Sequence, residues 1–173
     1  MAGLESRHNP STMETIMNKK IKRIYVDASV ASAMFDDNDH PEKTRAFWQA
    51  VINKEIIVLA SDALQTELDD APAHVQDFFD ALPKSQIERI VSTEESNALA
   101  ARYIEEGVVG DKNLIDCKHV ALATLTEADV LVSWNFRHIV KLNKIYRYNG
   151  INKILGYREI EIRTPYEVIN DET

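Results

Sequence analysis

From Ile21 onward the chain alternates between short apolar runs and longer segments whose apolar residues recur three and four positions apart. "IKRIYVDA", "EIIVLA", "QIERIVS", "DVLVS" and "REIEIRTP" carry the compact or alternating hydrophobicity of strands. Between them lie helical patterns. "PEKTRAFWQAVINK" opens on Pro41 at its first position, with Ala46, Phe47, Ala50 and Val51 on one face. "SDALQTELDDA" starts from an N-cap at Ser61, "AHVQDFFDAL" ends near Pro83, and "TEESNALAARYIEEG" is opened by a capping box of Ser92 with Glu95 and closed by Gly107. "NLIDCKHVALATLTEA" reads as a buried helix and "HIVKLNKIYRYNG" as a further one. Strands alternating with helices at this spacing predict a three-layer α/β/α sandwich with a central, mainly parallel sheet.

Composition narrows this picture. The 173 residues, 45% hydrophobic, suffice for one domain with a proper core and not for two. Residues 1–20 read as a flexible polar arm and 21–173 as the domain. No run is long and apolar enough to cross a bilayer, and the N-terminus lacks the apolar centre of a secretory signal, so the expectation is a cytoplasmic protein without a membrane partner. Cys117 is the sole cysteine, which excludes an internal disulfide and a thiolate-rich metal site; it is expected to be a small buried hydrophobe. A net charge of -8 argues against holding nucleic acid by a broad basic surface. It leaves open an enzyme that meets a phosphate backbone through bound cations, which invert the local charge.

Candidate chemistry then follows from position. In an open parallel sheet, residues just after the strands share one edge, where ligands bind. Asp27 ends the first strand and Asn135 follows "DVLVS". Glu67 lies on the helix after "EIIVLA", and Asp116 in the first turn of "NLIDCKHVALATL". Each has an ordinary reading: Asp27 and Asn135 as helix caps, Asp116 as a charge beside a helix dipole, Glu67 as one more surface acid next to Asp62, Asp69 and Asp70. Brought together, however, carboxylates repel, and a divalent cation removes that cost. Magnesium or manganese, which take hard oxygen ligands and keep waters, suit such a set, and phosphoryl chemistry is its usual employment.

Two other α/β patterns are not met. A haloacid-dehalogenase-like phosphatase wants a second Asp where Ser29 stands, and a response-regulator receiver wants paired acids at the first strand and a lysine after the last, which here runs into "RTPYE". Instead, "IYVDASV", "SDALQTEL", "DCKHVALAT", "DVLVSWNFRHIV" and "IEIRTPYEVI" resemble, in order, the motifs of the PIN-domain family, over about residues 21–169. These are metal-dependent ribonucleases found as the toxin half of toxin-antitoxin pairs and in other RNA-processing proteins. The resemblance implies that Asp27, Glu67 and Asp116 hold Mg or Mn, with Asp27 and Asp116 as direct ligands and Glu67 orienting water or a second ion. It implies in-line attack of water on an RNA phosphodiester. Ser29 and Ser133 would support the site, and the implied partners are RNA, an antitoxin and a second copy in a homodimer.

The departure is Asn135, a neutral amide in "SWN" where many members carry Asp, so a second metal would be held more weakly. Two alternatives therefore stand beside the ribonuclease: an interaction module that keeps the fold with weakened catalysis, and a metal-dependent DNA nuclease or phosphatase. His119 is expected to be packed and hydrogen-bonded, His138 and Arg137 to lie near the edge, and Trp134 to cover it. Asp111 is a reserve carboxylate, and "DDNDH" at 36–40 a solvated turn.

Overall fold

The computed structural model describes residues 21–170; the arm expected over residues 1–20 lies outside them. Five strands form one sheet: β1 (Lys22–Val26), β2 (Ile56–Ser61), β3 (Ile87–Ile90), β4 (Val130–Val132) and β5 (Ile162–Arg163). Their order is β3-β2-β1-β4-β5, and every pairing is parallel. The expected α/β architecture is thus observed, with helices on both faces.

The strand pattern explains the two cores. Side chains alternate along a strand, so Ile24 and Val26 enter one face with Val58, Ala60, Phe47, Trp48 and Val132, while Tyr25 enters the other with Leu59, Leu99, Tyr103, Val120 and Leu131. From Ile24 to Val26 β1 is buried on both faces, which leaves no room for a polar alternation and explains the apolar run "IYV" after Lys22 and Arg23. The first face is covered chiefly by α1 (Ala28–Ser32), α2 (His40–Ile52) and α4 (Ala73–Asp80). The second is covered by α5 (Glu94–Glu105), α6 (Leu114–Leu125) and α7 (Leu142–Ile154). Helix α3 (Asp62–Asp69) follows β2, and α8 (Pro165–Asn170) packs near α2.

Three local expectations need correction. The capping box of α5 is made by Thr93 and Ser96, while Ser92 turns away to donate from its backbone and hydroxyl to Asp62. A longer-range carboxylate therefore won over the local cap. The helix expected from His138 starts only at Leu142 and runs on to Ile154, because residues 136–140 close a turn onto Asn135. The last strand is confined to Ile162–Arg163, since β5 sits at the sheet edge and pairs only with the short β4.

Helices α5, α6 and α7 meet at a buried polar knot. Tyr103 donates to Asn152 Oδ1, and Asn152 Nδ2 donates to Thr124 Oγ1 at 3.2 Å. Removing the hydroxyl in Tyr103→Phe leaves the buried Asn152 oxygen without its donor. The expected cost is about 1–3 kcal/mol in denaturant unfolding.

Candidate active site

The strand order reverses beside β1: β2 lies on one side and β4 on the other. Such a switch point opens a crevice at the carboxyl ends of the strands. Val26 pairs with Val132, so the next residues, Asp27 and Ser133, come side by side, and the Ser133 hydroxyl donates to Asp27 Oδ2 at 2.6 Å. Asp27 Oδ1 accepts from the Ser29 amide at 3.1 Å and from the Ser29 hydroxyl. Asp27 is therefore also the N-cap of α1, and its two readings are compatible.

The two serines extend the frame. Ser29 Oγ accepts the Trp134 amide at 2.9 Å, and Ser133 Oγ accepts the Asn135 amide at 2.9 Å, fixing the turn after β4. Asn135 Oδ1 accepts the amides of Arg137 and His138 at 3.1 and 3.0 Å, while its Nδ2 donates to Asp116 Oδ1 at 3.3 Å. The amide thus serves both as a cap and as a contact to the acid on α6. His138 Nδ1 lies 3.0 Å from Asp116 Oδ2.

Glu67 completes the group through His119, which lies one turn beyond Asp116 on α6. The His119 ring is wholly buried, and its Nε2 is 2.5 Å from Glu67 Oε1, which also accepts the Ala28 amide at 3.3 Å. On its other side His119 Nδ1 meets the Tyr25 hydroxyl at 2.7 Å, and that hydroxyl meets Ser61 Oγ at 2.6 Å. Ser61 in turn caps α3 by accepting the Leu64 amide at 3.0 Å. The chain Ser61–Tyr25–His119–Glu67 ties the carboxyl ends of β1 and β2 to the carboxylate.

Sequence reasoning placed His119 as packed and hydrogen-bonded, which it is, but did not connect it to Glu67. Tyr25 and Ser61 it did not assign to the site. A signal existed: a tyrosine within a buried strand needs a partner for its hydroxyl. Trp134 covers the rim as expected, stacked on His40 with ring centroids 4.2 Å apart and donating from Nε1 to Thr44 Oγ1. Asp111 is exposed in the short turn before α6, so the reserve role is not needed; Asp116 points inward at 8% exposure.

Electrostatics show the cost of this gathering. Burial, reinforced by the nearby Glu67 charge, pushes the Asp27 carboxyl up to about 6, against the partial relief of His119, Ser133 and Ser29. Burial likewise raises Asp116, although His138 and His119 pull it back. For His119 burial alone lowers the pKa, yet the hydrogen bond to Glu67 and the charges of Glu67, Asp27 and Asp116 outweigh it, and the net direction is up. Cys117 stays a buried thiol, pushed up to about 12 by burial, and takes no part.

Lone-pair accounting shows what remains for a ligand. Both hydrogen bonds of Glu67 fall on Oε1, leaving Oε2 unengaged. Asp27 Oδ2 and both Asp116 oxygens each accept one bond and keep one lone pair. Among the described residues, no group of three or more His, Cys, Asp and Glu side chains is arranged to cage a metal ion. By type the remaining lone pairs belong to carboxylate oxygens, the hard donors that magnesium and manganese take alongside retained waters. Beside them, between α3 and α6, a cleft of about 340 Å³ is lined by Asp62, Thr66, Ser92, Leu114, Ile115 and Lys118.

No family model and no curated protein matches the chain. Among solved structures, the chain is similar in fold to one in the crystal structure of VapBC2 from Rickettsia felis bound to a DNA fragment from their promoter. The TM-score is 0.51 at 12% identity, with 82% of this chain and 98% of that chain covered. At that identity the likeness bears on the fold alone: this chain shares its α/β architecture with a component of a VapBC complex.

Proposed function

We propose that the protein is a metal-dependent endoribonuclease, the toxin component of a two-protein pair. What supports this reading is a run of hydrogen bonds at the switch point of a parallel sheet: Ser133 joins Asp27 to the turn of Asn135, Asn135 donates to Asp116, and Glu67 accepts the Ala28 amide next to Asp27. The VapBC2 likeness and the PIN-like motifs agree with it. An antitoxin and a second copy are the protein partners this reading expects.

The chain's own residues do the following. Asp27 and Asp116 would hold Mg or Mn through their remaining lone pairs, with Glu67 Oε2 directed to water. Bound there, the cation would supply an activated water and neutralise charge on the scissile phosphate. Ser29 and Ser133 keep Asp27 from rotating, His119 fixes the Glu67 carboxylate, and Asn135 holds the Asp116 side chain.

Cleavage assays on purified protein, with Mg or Mn against chelator and with RNA, DNA and small phosphate esters as competitors, test the reading. Metal-dependent cutting of RNA is expected; cutting of DNA or esters alone would move the activity to another phosphodiesterase or phosphatase class.

A second reading has its own observation. Glu67 is already hydrogen-bonded to His119, and Asp116 to His138 and Asn135, so two of the three acids spend part of their acceptor capacity within the protein. This favours a weakened site on an interaction module. The two readings separate through Asn135→Asp, which restores a negative charge next to Asp116. Manganese affinity measured by calorimetry should rise about tenfold; an unchanged affinity would mean that position 135 faces no cation.

A further inference from the structure

No Asp or Glu occurs between Asp129 and Glu159, whereas Arg137, Lys141, Lys144, Arg147, Lys153 and Arg158 all fall there. In a chain of net charge -8 this is a pronounced local inversion. It begins at β4, passes through the turn that holds Asn135, and continues along α7.

The inverted segment faces outward. Arg137 and Lys141 are exposed at the turn and at the start of α7, Lys153 and Arg158 at and beyond its far end. Among the described residues none of these four makes an ion pair or a side-chain hydrogen bond. Lys144 and Arg147 are otherwise employed, donating to the carbonyls of Val108 and Glu106 after α5. Phe136, 51% exposed, stands just before Arg137, and Tyr146, 68% exposed, lies between Lys141 and Lys153. Cations interleaved with exposed aromatic rings are the composition that tracks a single-stranded backbone and stacks its bases.

We propose that the turn after Asn135 and the outer face of α7 form the lane along which single-stranded RNA reaches the site. The proposal rests on the ribonuclease reading and adds where the polyanion lies. It resolves a conflict in that reading, because an acidic protein with a buried acidic site would otherwise repel its substrate. The lane starts at the site itself: His138, next to Arg137, touches Asp116, and the Arg137 amide is bonded to Asn135. Gly150 adds access, since it sits exposed on the same helix with no atom near the place of a Cβ.

The test measures binding of a fluorescent mixed-sequence single-stranded RNA in chelator, where no cutting occurs, across a salt series. Wild type is compared with Lys141→Ala, Lys153→Ala and Tyr146→Ala, and with Lys84→Ala as a control just before β3 at the opposite sheet edge. Each lane lysine removed should flatten the log–log salt slope by about 0.7, Tyr146→Ala should weaken binding about fivefold or more, and Lys84→Ala should do neither. The same proteins are assayed with manganese for RNA cleavage. If wild type cuts RNA but the lane variants keep its slope and affinity, the lane is overturned while the ribonuclease stands. Variants that change only the oligomeric state overturn it as well, and make this face a protein interface. If wild type neither binds nor cuts RNA, the ribonuclease reading fails and takes the lane with it.

Discussion

Asp27→Asn is expected to lower metal-supported RNA cleavage by about a thousandfold or more while leaving the fold intact. The magnitude follows from the several kcal/mol that a properly held cation contributes to phosphoryl chemistry, most of which is lost with a direct ligand. Retention of the fold follows from geometry. The Asn oxygen can take the place of Oδ1 and keep the amide and hydroxyl bonds of Ser29, and its Nδ2 can face Ser133 Oγ, which then turns its own hydrogen away. What disappears is the charge. Single-turnover cleavage with manganese, beside a circular-dichroism spectrum of the variant, checks both halves. Cleavage surviving at wild-type rate would place the chemistry elsewhere.

The contrast with Glu67 sharpens this expectation. Asp27 is 3% exposed and braced only by hydroxyls and one amide, so no hydrogen-bonded cation of the protein offsets its charge. Glu67 has an imidazole against one oxygen and should tolerate neutralisation better. A loss ranked Asp27 above Glu67 in cleavage assays would match that difference in bracing.

Much of the architecture was legible in the letters because burial on both sheet faces forces continuous apolar strands, and these stand out between amphipathic helices. The buried placement of Asp27 and Asp116 follows for a related reason: a carboxylate directly after such a strand, or at the start of an apolar helix, has few places to go. Less legible was the route by which Glu67 joins the others. His119, Tyr25 and Ser61 come from α6, β1 and β2, and nothing in the spacing shows that their rings and hydroxyls line up across the sheet. Ser92 misled for the opposite reason. A local capping pattern was present in the sequence, but Asp62, thirty residues earlier, offered both of its carboxylate oxygens. The stretch from His138 to Val140 was read as helix because its side chains fit one; the amides folded back onto Asn135 decide otherwise.

The metal-free protein should lose stability as pH rises from about 4 to 6, and Asp27→Asn should abolish most of that loss. The Asp27 carboxyl ionises at about 6 in the fold against an ordinary value of 3.8. Below about pH 4 it is protonated in both folded and unfolded chains and contributes nothing. Between the two values the unfolded chain sheds its proton first, so ionisation pulls the equilibrium toward unfolding; above about pH 6 the full penalty stands, about 3 kcal/mol. Asp116, also raised by burial, acts in the same direction. His119, whose raised pKa stabilises the fold below its unfolded value, extends the decline as pH climbs through its folded value. Surface acids held low, such as Asp62, act oppositely toward acid pH, so the informative quantity is the difference between wild type and variant. Denaturant unfolding in chelator should show Asp27→Asn about 3 kcal/mol more stable than wild type at pH 7, with the gap closing toward pH 4. Adding Mg or Mn at pH 7 should raise the wild-type melting temperature more than the variant's, because the cation would compensate the buried Asp27 charge that only the wild type carries. A difference that stays flat with pH would mean Asp27 is solvated in the folded protein, and the case for a cation at the switch point would fall with it.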